Sequence, residues 1–199
     1  LDPMQNGAAQ TALIAGGTMS IYNRSTLSRN EYFPGVLINA AEVSFLLSEF
    51  YLKANNMAAA RTAYNDGIRK SIEYYYLLRS VSNDNTAGPV APPTAAEIDS
   101  YINSTGVKWE GATTNTDRIH LLATQKWLHY SVVQLLESWA EQRRLDAPTF
   151  SFEVDNANTQ KQPPYRWLYA GSEQTYNTAN YAAVKSKDNL TTKIFWDVK

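Results

Sequence analysis

Asn39-Ala40-Ala41-Glu42-Val43-Ser44-Phe45-Leu46-Leu47-Ser48-Glu49-Phe50-Tyr51-Leu52-Lys53-Ala54-Asn55-Asn56 is the stretch that decides the fold. Asn39 stands where an N-cap belongs, ahead of a helix expected from Ala40 to about Lys53. Val43, Leu46, Leu47, Phe50 and Ala54 recur at helical intervals and predict its apolar face. Asn55-Asn56 ends it. A second helix is expected from about Met57 to Tyr76, with an inner stripe of Ala60, Ala63, Tyr64, Gly67, Ile68, Ser71, Ile72 and Tyr75. The small members of that stripe let a neighbouring helix come close. Two amphipathic helices within about 38 residues (39–77) have the size of one tetratricopeptide unit. A lone unit cannot bury both its faces, so further helices are expected beside it.

Upstream, residues 1–38 are polar, contain Gly7, Gly16, Gly17 and Pro34-Gly35, and read as an irregular lead-in. Downstream, residues 78–116 form a loop-rich insertion. Within it Thr94 and Glu97 have capping-box spacing for a short helix through about Asn103, and the polar segment Ser104 to Thr116 carries one Trp109. A long helix is expected over 117–146, capped by Thr116 or Asp117. Its seam is Leu121, Leu128, Val132, Leu135 and Trp139, widened by Leu122 and Leu136. Residues 147–199 read as a loop-rich tail with a short helix from Glu173 to about Val184. No strand-period run competes, so the class is all-α: tetratricopeptide-like helical pairs with long irregular loops.

Composition narrows function by exclusion. A net charge of −1 argues against nucleic acid as a partner, because phosphate binding needs a basic surface. No apolar run approaches the roughly 18 residues of a membrane-spanning helix. With no cysteine, thiolate nucleophiles and cysteine metal sites are out. His120 and His129, the only histidines, lie nine positions apart on one helix and so on opposite faces; a joint metal site is excluded. Gly16-Gly17 lacks the lysine of a phosphate loop. Glu42 and Glu49 share a helical face about 10.5 Å apart, a spacing a glycosidase could use, but burial with pairing to arginine or capping of a backbone is the expectation. Arg143 and Arg144 suit a helix C-terminus and an ion pair pinning the Pro148–Phe152 segment. Arg166 and Glu173 are expected to pair in the tail. No cofactor is expected.

Several separated blocks then occur in one order: Tyr32-Phe33-Pro34-Gly35, Ala40-Ala41-Glu42, Gln125-Lys126-Trp127, Trp139-Ala140-Glu141-Gln142-Arg143-Arg144 with Pro148, Pro164-Tyr165-Arg166-Trp167-Leu168-Tyr169 with Glu173, Asn177 and Asn180, and Lys193-Ile194-Phe195-Trp196-Asp197. This order closely resembles the SusD/RagB-like outer-membrane lipoproteins over roughly residues 31 to 197. Trp167 stands where the family often has a second arginine, and Ala170 near where it has proline. The resemblance implies a SusD-like fold and a non-catalytic protein at the cell surface. It would bind an oligosaccharide or another nutrient and deliver it to a SusC-like TonB-dependent outer-membrane transporter. Members are about twice this long or more and lipid-anchored near the N-terminus, so the resemblance also implies a C-terminal portion. The rival reading is a helical scaffold for a partner protein with no small ligand.

No ligand residue transfers by motif, so site candidates rest on local inference. Function concentrates on loops that interrupt a scaffold. Trp109 is an apolar ring in a polar loop, flanked by Lys108 and Glu110, with Asn103 and the ring of Tyr101 just upstream. These five are the expected sugar contacts, with a Trp109 that packs the loop down as the alternative, and Tyr74 to Tyr76 lead into the other loop. Trp127, Trp139 and Tyr64 are expected to be buried.

Overall fold

The structure, a computed structural model, describes residues 7–19, 21–150 and 164–195. Phe152, Trp196 and Asp197 therefore lie outside the described residues. The chain divides into two compact units, one of residues 8–150 and one of residues 1–7 with 151–199. The described secondary structure is all helical: α1 (Gly7–Ala15), α2 (Ala40–Lys53), α3 (Met57–Ser80), α4 (Ala95–Ile102), α5 (Asn115–Tyr130), α6 (Leu135–Leu145), α7 (Gly171–Tyr176) and α8 (Thr178–Val184), with 3-10 turns at Trp109–Gly111 and Lys185–Lys187. None of the described helices is long and apolar enough to cross a membrane. The lead-in thus contains a helix, α1, that its lack of period did not predict.

Helices α2 and α3 form an antiparallel pair. Asn39 caps α2 by accepting the Glu42 N–H, and Asn56 caps α3 by accepting the Ala59 N–H. Asn55, at φ 57°, turns the chain between them. The Phe45 ring fills the space over Gly67, where an added Cβ would come within 2.4 Å of it. Ser48 donates to the Ala60 carbonyl at 2.8 Å. Ala60, Ala63, Tyr64, Gly67 and Ile68 are buried as the stripe requires.

The buried face of α2 differs from the expected one. Ala41, Phe45, Ser48 and Leu52 point inward with Glu42, Ser44 and Glu49, while Val43, Leu46, Leu47 and Phe50 are exposed. Positions 41, 45, 48 and 52 also follow helical spacing. That face wins because its polar members find partners inside, in the Ala60 carbonyl, Gln134, Lys126 and Arg144.

The long helix is in fact two. Thr114 caps α5, forming a capping box with Asp117, upstream of the cap expected at Thr116 or Asp117. The helix stops at Tyr130, where Ser131 adopts φ 25°. β-branched Val132 and Val133 weaken helix propensity here. Gln134 turns inward to donate to Glu42 at 2.8 Å and accept from Asn39 at 3.0 Å. The expected seam is corrected with the break. Leu128, Leu135 and Leu136 are exposed, and Leu122, Ala123, Gln125, Lys126, His129 and Tyr130 form the buried face of α5. Trp127 is 43 % exposed and meets Phe150, and Trp139 is half-buried with Arg143 stacked on it at 4.8 Å, so only Tyr64 of the three is fully buried.

In the second unit one helix became two, α7 and α8. Arg166 stacks on the Tyr169 ring, 5.0 Å from its centroid. Glu173 accepts from Asn177 at 2.7 Å, so the expected Arg166–Glu173 pair is not formed. Asp188 instead ties this unit together, accepting from the Tyr169 N–H at 2.9 Å and the Tyr181 hydroxyl at 2.8 Å.

Candidate functional site

Two constellations in residues 8–150 bring chemistry-bearing side chains together. The first is a buried charge cluster. Lys126, fully buried, donates to Glu141 at 2.6 Å and lies 3.5 Å from Glu49. Arg144 grips both oxygens of Glu49 at 2.6 Å and also pairs with Glu141. Lys53 adds a contact to Glu49 at 2.8 Å. Burial pulls the Glu49 carboxyl up, but the hydrogen bonds from Arg144 and Lys53 and the nearby charges outweigh it and hold the group at about 2. Glu42 accepts from Gln134. Both carboxylates of the supposed acid/base pair are thus internally engaged, and Glu49 is ionised at neutral pH. The cluster joins α2, α5 and α6.

His129 lies beside it, fully buried. Asn39 Oδ1 already accepts the Glu42 N–H, so it is the oxygen that faces His129 Nε2 at 2.9 Å. Nε2 therefore carries the proton, and Nδ1 accepts from Ser71 at 2.9 Å. Burial lowers its pKa from 6.5 to about 4, which keeps the ring neutral.

The second constellation is open. The C-terminal half of α3 presents two i, i+4 rows, Ile68–Ile72–Tyr76 and Ser71–Tyr75–Arg79. Ile68, Ser71, Ile72, Tyr75 and Tyr76 of these rows, with Pro93, Glu97, Ile98, Tyr101, Gln125 and Leu128, border a groove of about 400 Å³. The Tyr101 hydroxyl lies 3.2 Å from Gln125 Nε2 and 3.3 Å from Oε1. Glu97 is held by its own capping box. Tyr75 donates to the His129 carbonyl at 2.7 Å, which fixes its ring in the wall. At the other side of Tyr75 and Tyr76 a smaller pocket of about 240 Å³ opens, bordered by Tyr22, Asn23, Thr26, Leu27, Arg79 and Val90.

Polar side chains bring Tyr22 there. Ser25 donates to Asp84 at 2.5 Å and accepts the Ala87 N–H. Ser82 donates to the Ser25 carbonyl, Asn30 to the Leu78 carbonyl, and Arg29 to Thr86. These bonds stitch residues 23–30 onto the loop after α3, and Tyr22 is further tied to Ser131.

Of the five expected contacts, only Tyr101 borders this groove. Trp109 is 5 % exposed, packed on Tyr64 with Arg118 at 5.9 Å over its ring, and Tyr64 donates to the Val107 carbonyl at 2.6 Å. The expectation of an exposed stacking ring is corrected, because Val107, Trp109 and Ala112 fold inward over the helical pair and leave the flanking polar residues outside. Asn103 caps α4 through the Asp99 carbonyl, Glu110 pairs with Arg61 at 2.8 Å, and Lys108 is exposed. Tyr22, Arg79 and Gln125 were missed. The i, i+4 rows of α3 signal the groove wall, but no local pattern announces Tyr22. Among the described residues no cluster of metal-ligating side chains occurs.

Comparison with known proteins fits this architecture. A SusD-like structure from Bacteroidetes, AC2a, superposes with a TM-score of 0.72 at 24 % identity, covering 96 % of this chain and 38 % of its own. A SusD homologue from Bacteroides fragilis superposes at 0.74 and 21 % identity, covering 100 % and 43 %. A protein described as chitin-binding superposes at 0.62 and 25 % identity, covering 81 % and 33 %. The chain thus spans about two fifths or less of the length of these structures. No curated protein matches it. The family model for Susd and RagB outer membrane lipoproteins matches residues 2–197, and the chain belongs to that SusD-like family.

Proposed function

We propose that the protein binds an oligosaccharide without transforming it, at the surface of an outer membrane, for delivery to a SusC-like TonB-dependent transporter. The observation that carries this reading is the groove walled by Tyr75, Tyr76 and Tyr101 with Gln125 between helices. Tyrosine rings cover the apolar face of a sugar while amides and hydroxyls meet its edge. Support also comes from the family, whose members are outer membrane lipoproteins, and from a relative in fold described as chitin-binding. The absence of catalysis in this reading agrees with Glu42 and Glu49 being buried and bonded. Titration with a panel of neutral and acidic oligosaccharides tests it. Binding that weakens in a folded Tyr101→Ala variant is expected. No saccharide binding at all, or turnover of a bound glycan, overturns it.

The scaffold reading has one observation in its favour, the exposed Val43, Leu46, Leu47 and Phe50 on α2. A protein partner captured through that face, with no saccharide bound, would replace the first reading.

A further inference from the structure

We infer that the pocket beneath Tyr22, Tyr75 and Tyr76 takes the anionic substituent of a sugar, a carboxylate or a sulfate ester, on Arg79. This inference rests on the saccharide-binding reading and specifies its substrate class.

Arg79 is only 8 % exposed. Its Nη2 donates to the Gly88 carbonyl, a neutral acceptor, and its Nε has no hydrogen-bond partner. Among the described residues no carboxylate pairs with it, in contrast to Arg144, which meets Glu49 and Glu141. None of the pocket's bordering residues is acidic. A guanidinium withdrawn from water without an anion is costly, and the cost falls when a planar or multi-oxygen anion supplies charge-assisted hydrogen bonds. The fold therefore retains a buried cation whose charge nothing in the wall balances.

The surroundings suit a sugar that carries such a group. Tyr22 is 60 % exposed at the rim, where a ring face can stack. Asn23 Oδ1 is occupied by the Thr26 N–H at 3.0 Å, which leaves the Asn23 amide N–H groups as donors. A volume of about 240 Å³ is below the roughly 300 Å³ at which ligand pockets for larger molecules begin. It fits one sugar residue. Tyr75 and Tyr76 border both this pocket and the larger groove with Tyr101 and Gln125, which places the two next to each other.

The test is calorimetric titration of the protein with a galacturonic acid tetrasaccharide, the same tetrasaccharide with its carboxyls reduced to alcohols, and a sulfated neutral tetrasaccharide. Expected is at least tenfold tighter binding of one or both anionic ligands than of the reduced one, weakening as salt is raised. Which anionic ligand binds identifies the substituent. Arg79→Gln should bring the anionic and reduced ligands to equal affinity. Should that variant fail to fold, Tyr22→Ala at the exposed rim decides: it should weaken the anionic ligand with an unchanged melting curve. Equal affinity of the wild type for anionic and reduced ligands overturns the inference and leaves saccharide binding standing. So does a folded Arg79→Gln that keeps the preference, or a folded Tyr22→Ala without effect. Failure of every saccharide to bind overturns both.

Discussion

The buried charge cluster and the tyrosine groove lie on opposite ends of a scale of engagement. In the cluster each charge meets its opposite: Glu49 is held by Arg144, Lys53 and Lys126, and Glu141 by Lys126 and Arg144. In the groove and its side pocket rings are partly exposed and Arg79 has an unpartnered Nε. The residues that make the family legible, Lys126 of Gln-Lys-Trp and Glu141 and Arg144 of the Trp-Ala-Glu-Gln-Arg-Arg block, belong to the first. They join α2, α5 and α6, and none of the three borders the tyrosine groove or its side pocket. The family signature here marks chiefly how helices are fastened, although Gln125 of the same Gln-Lys-Trp block borders the groove.

That contrast can be broken by substitution. Lys126→Met should have the largest effect, since it leaves two buried carboxylates short of a cation; a loss of about 3–5 kcal/mol is expected by chemical denaturation, with saccharide affinity of the folded protein unchanged. Trp109→Ala should cost a similar amount, about 3–5 kcal/mol, because the ring is core. Loss of saccharide affinity with an unchanged melting curve would return Trp109 to the site.

On the buried side, acid should act through His129 and Glu49. His129 has a folded pKa below its unfolded value, so only the unfolded chain takes up its proton between those values. Stability from this group is intact above pH 6.5 and declines as pH falls toward about 4, by about 3 kcal/mol in total. Glu49, also depressed, contributes stability above about 4.5 that is lost as pH falls toward 2. A pH series of denaturation midpoints for wild type and His129→Gln checks this: the slope between pH 6.5 and 4 should flatten in the variant.

Gly67→Ala sets two effects against each other. Alanine gains about 1 kcal/mol of helix propensity, but its Cβ would lie 2.4 Å from the buried Phe45 ring. Overpacking costs about 1–3 kcal/mol, so a net loss of up to about 2 kcal/mol is expected in thermal melts. Tyr76→Ala should have the smallest effect on stability and a clear one on binding: a melting temperature within a few degrees of wild type, and about tenfold weaker saccharide binding, or about 1.4 kcal/mol. Equal affinity would take the groove out of the site.

Local chemistry determined much of this protein in its sequence alone. Asn39, the Asn55-Asn56 turn, the Thr94–Glu97 capping box and the small-residue stripe of α3 each act within a turn or two of chain, and each formed as its residues require. The order of separated motifs was enough for the family. Tertiary structure decided which of two possible faces α2 buries, because Glu42, Ser48 and Glu49 are acceptable inside only where Gln134, the Ala60 carbonyl and Arg144 meet them. It also decided the break at Ser131 and the inward turn of Trp109. Tyr22 reaches Tyr75 and Arg79 across more than fifty residues of chain through bonds such as Ser25–Asp84. Such a meeting has no periodicity, so no stretch of sequence records it.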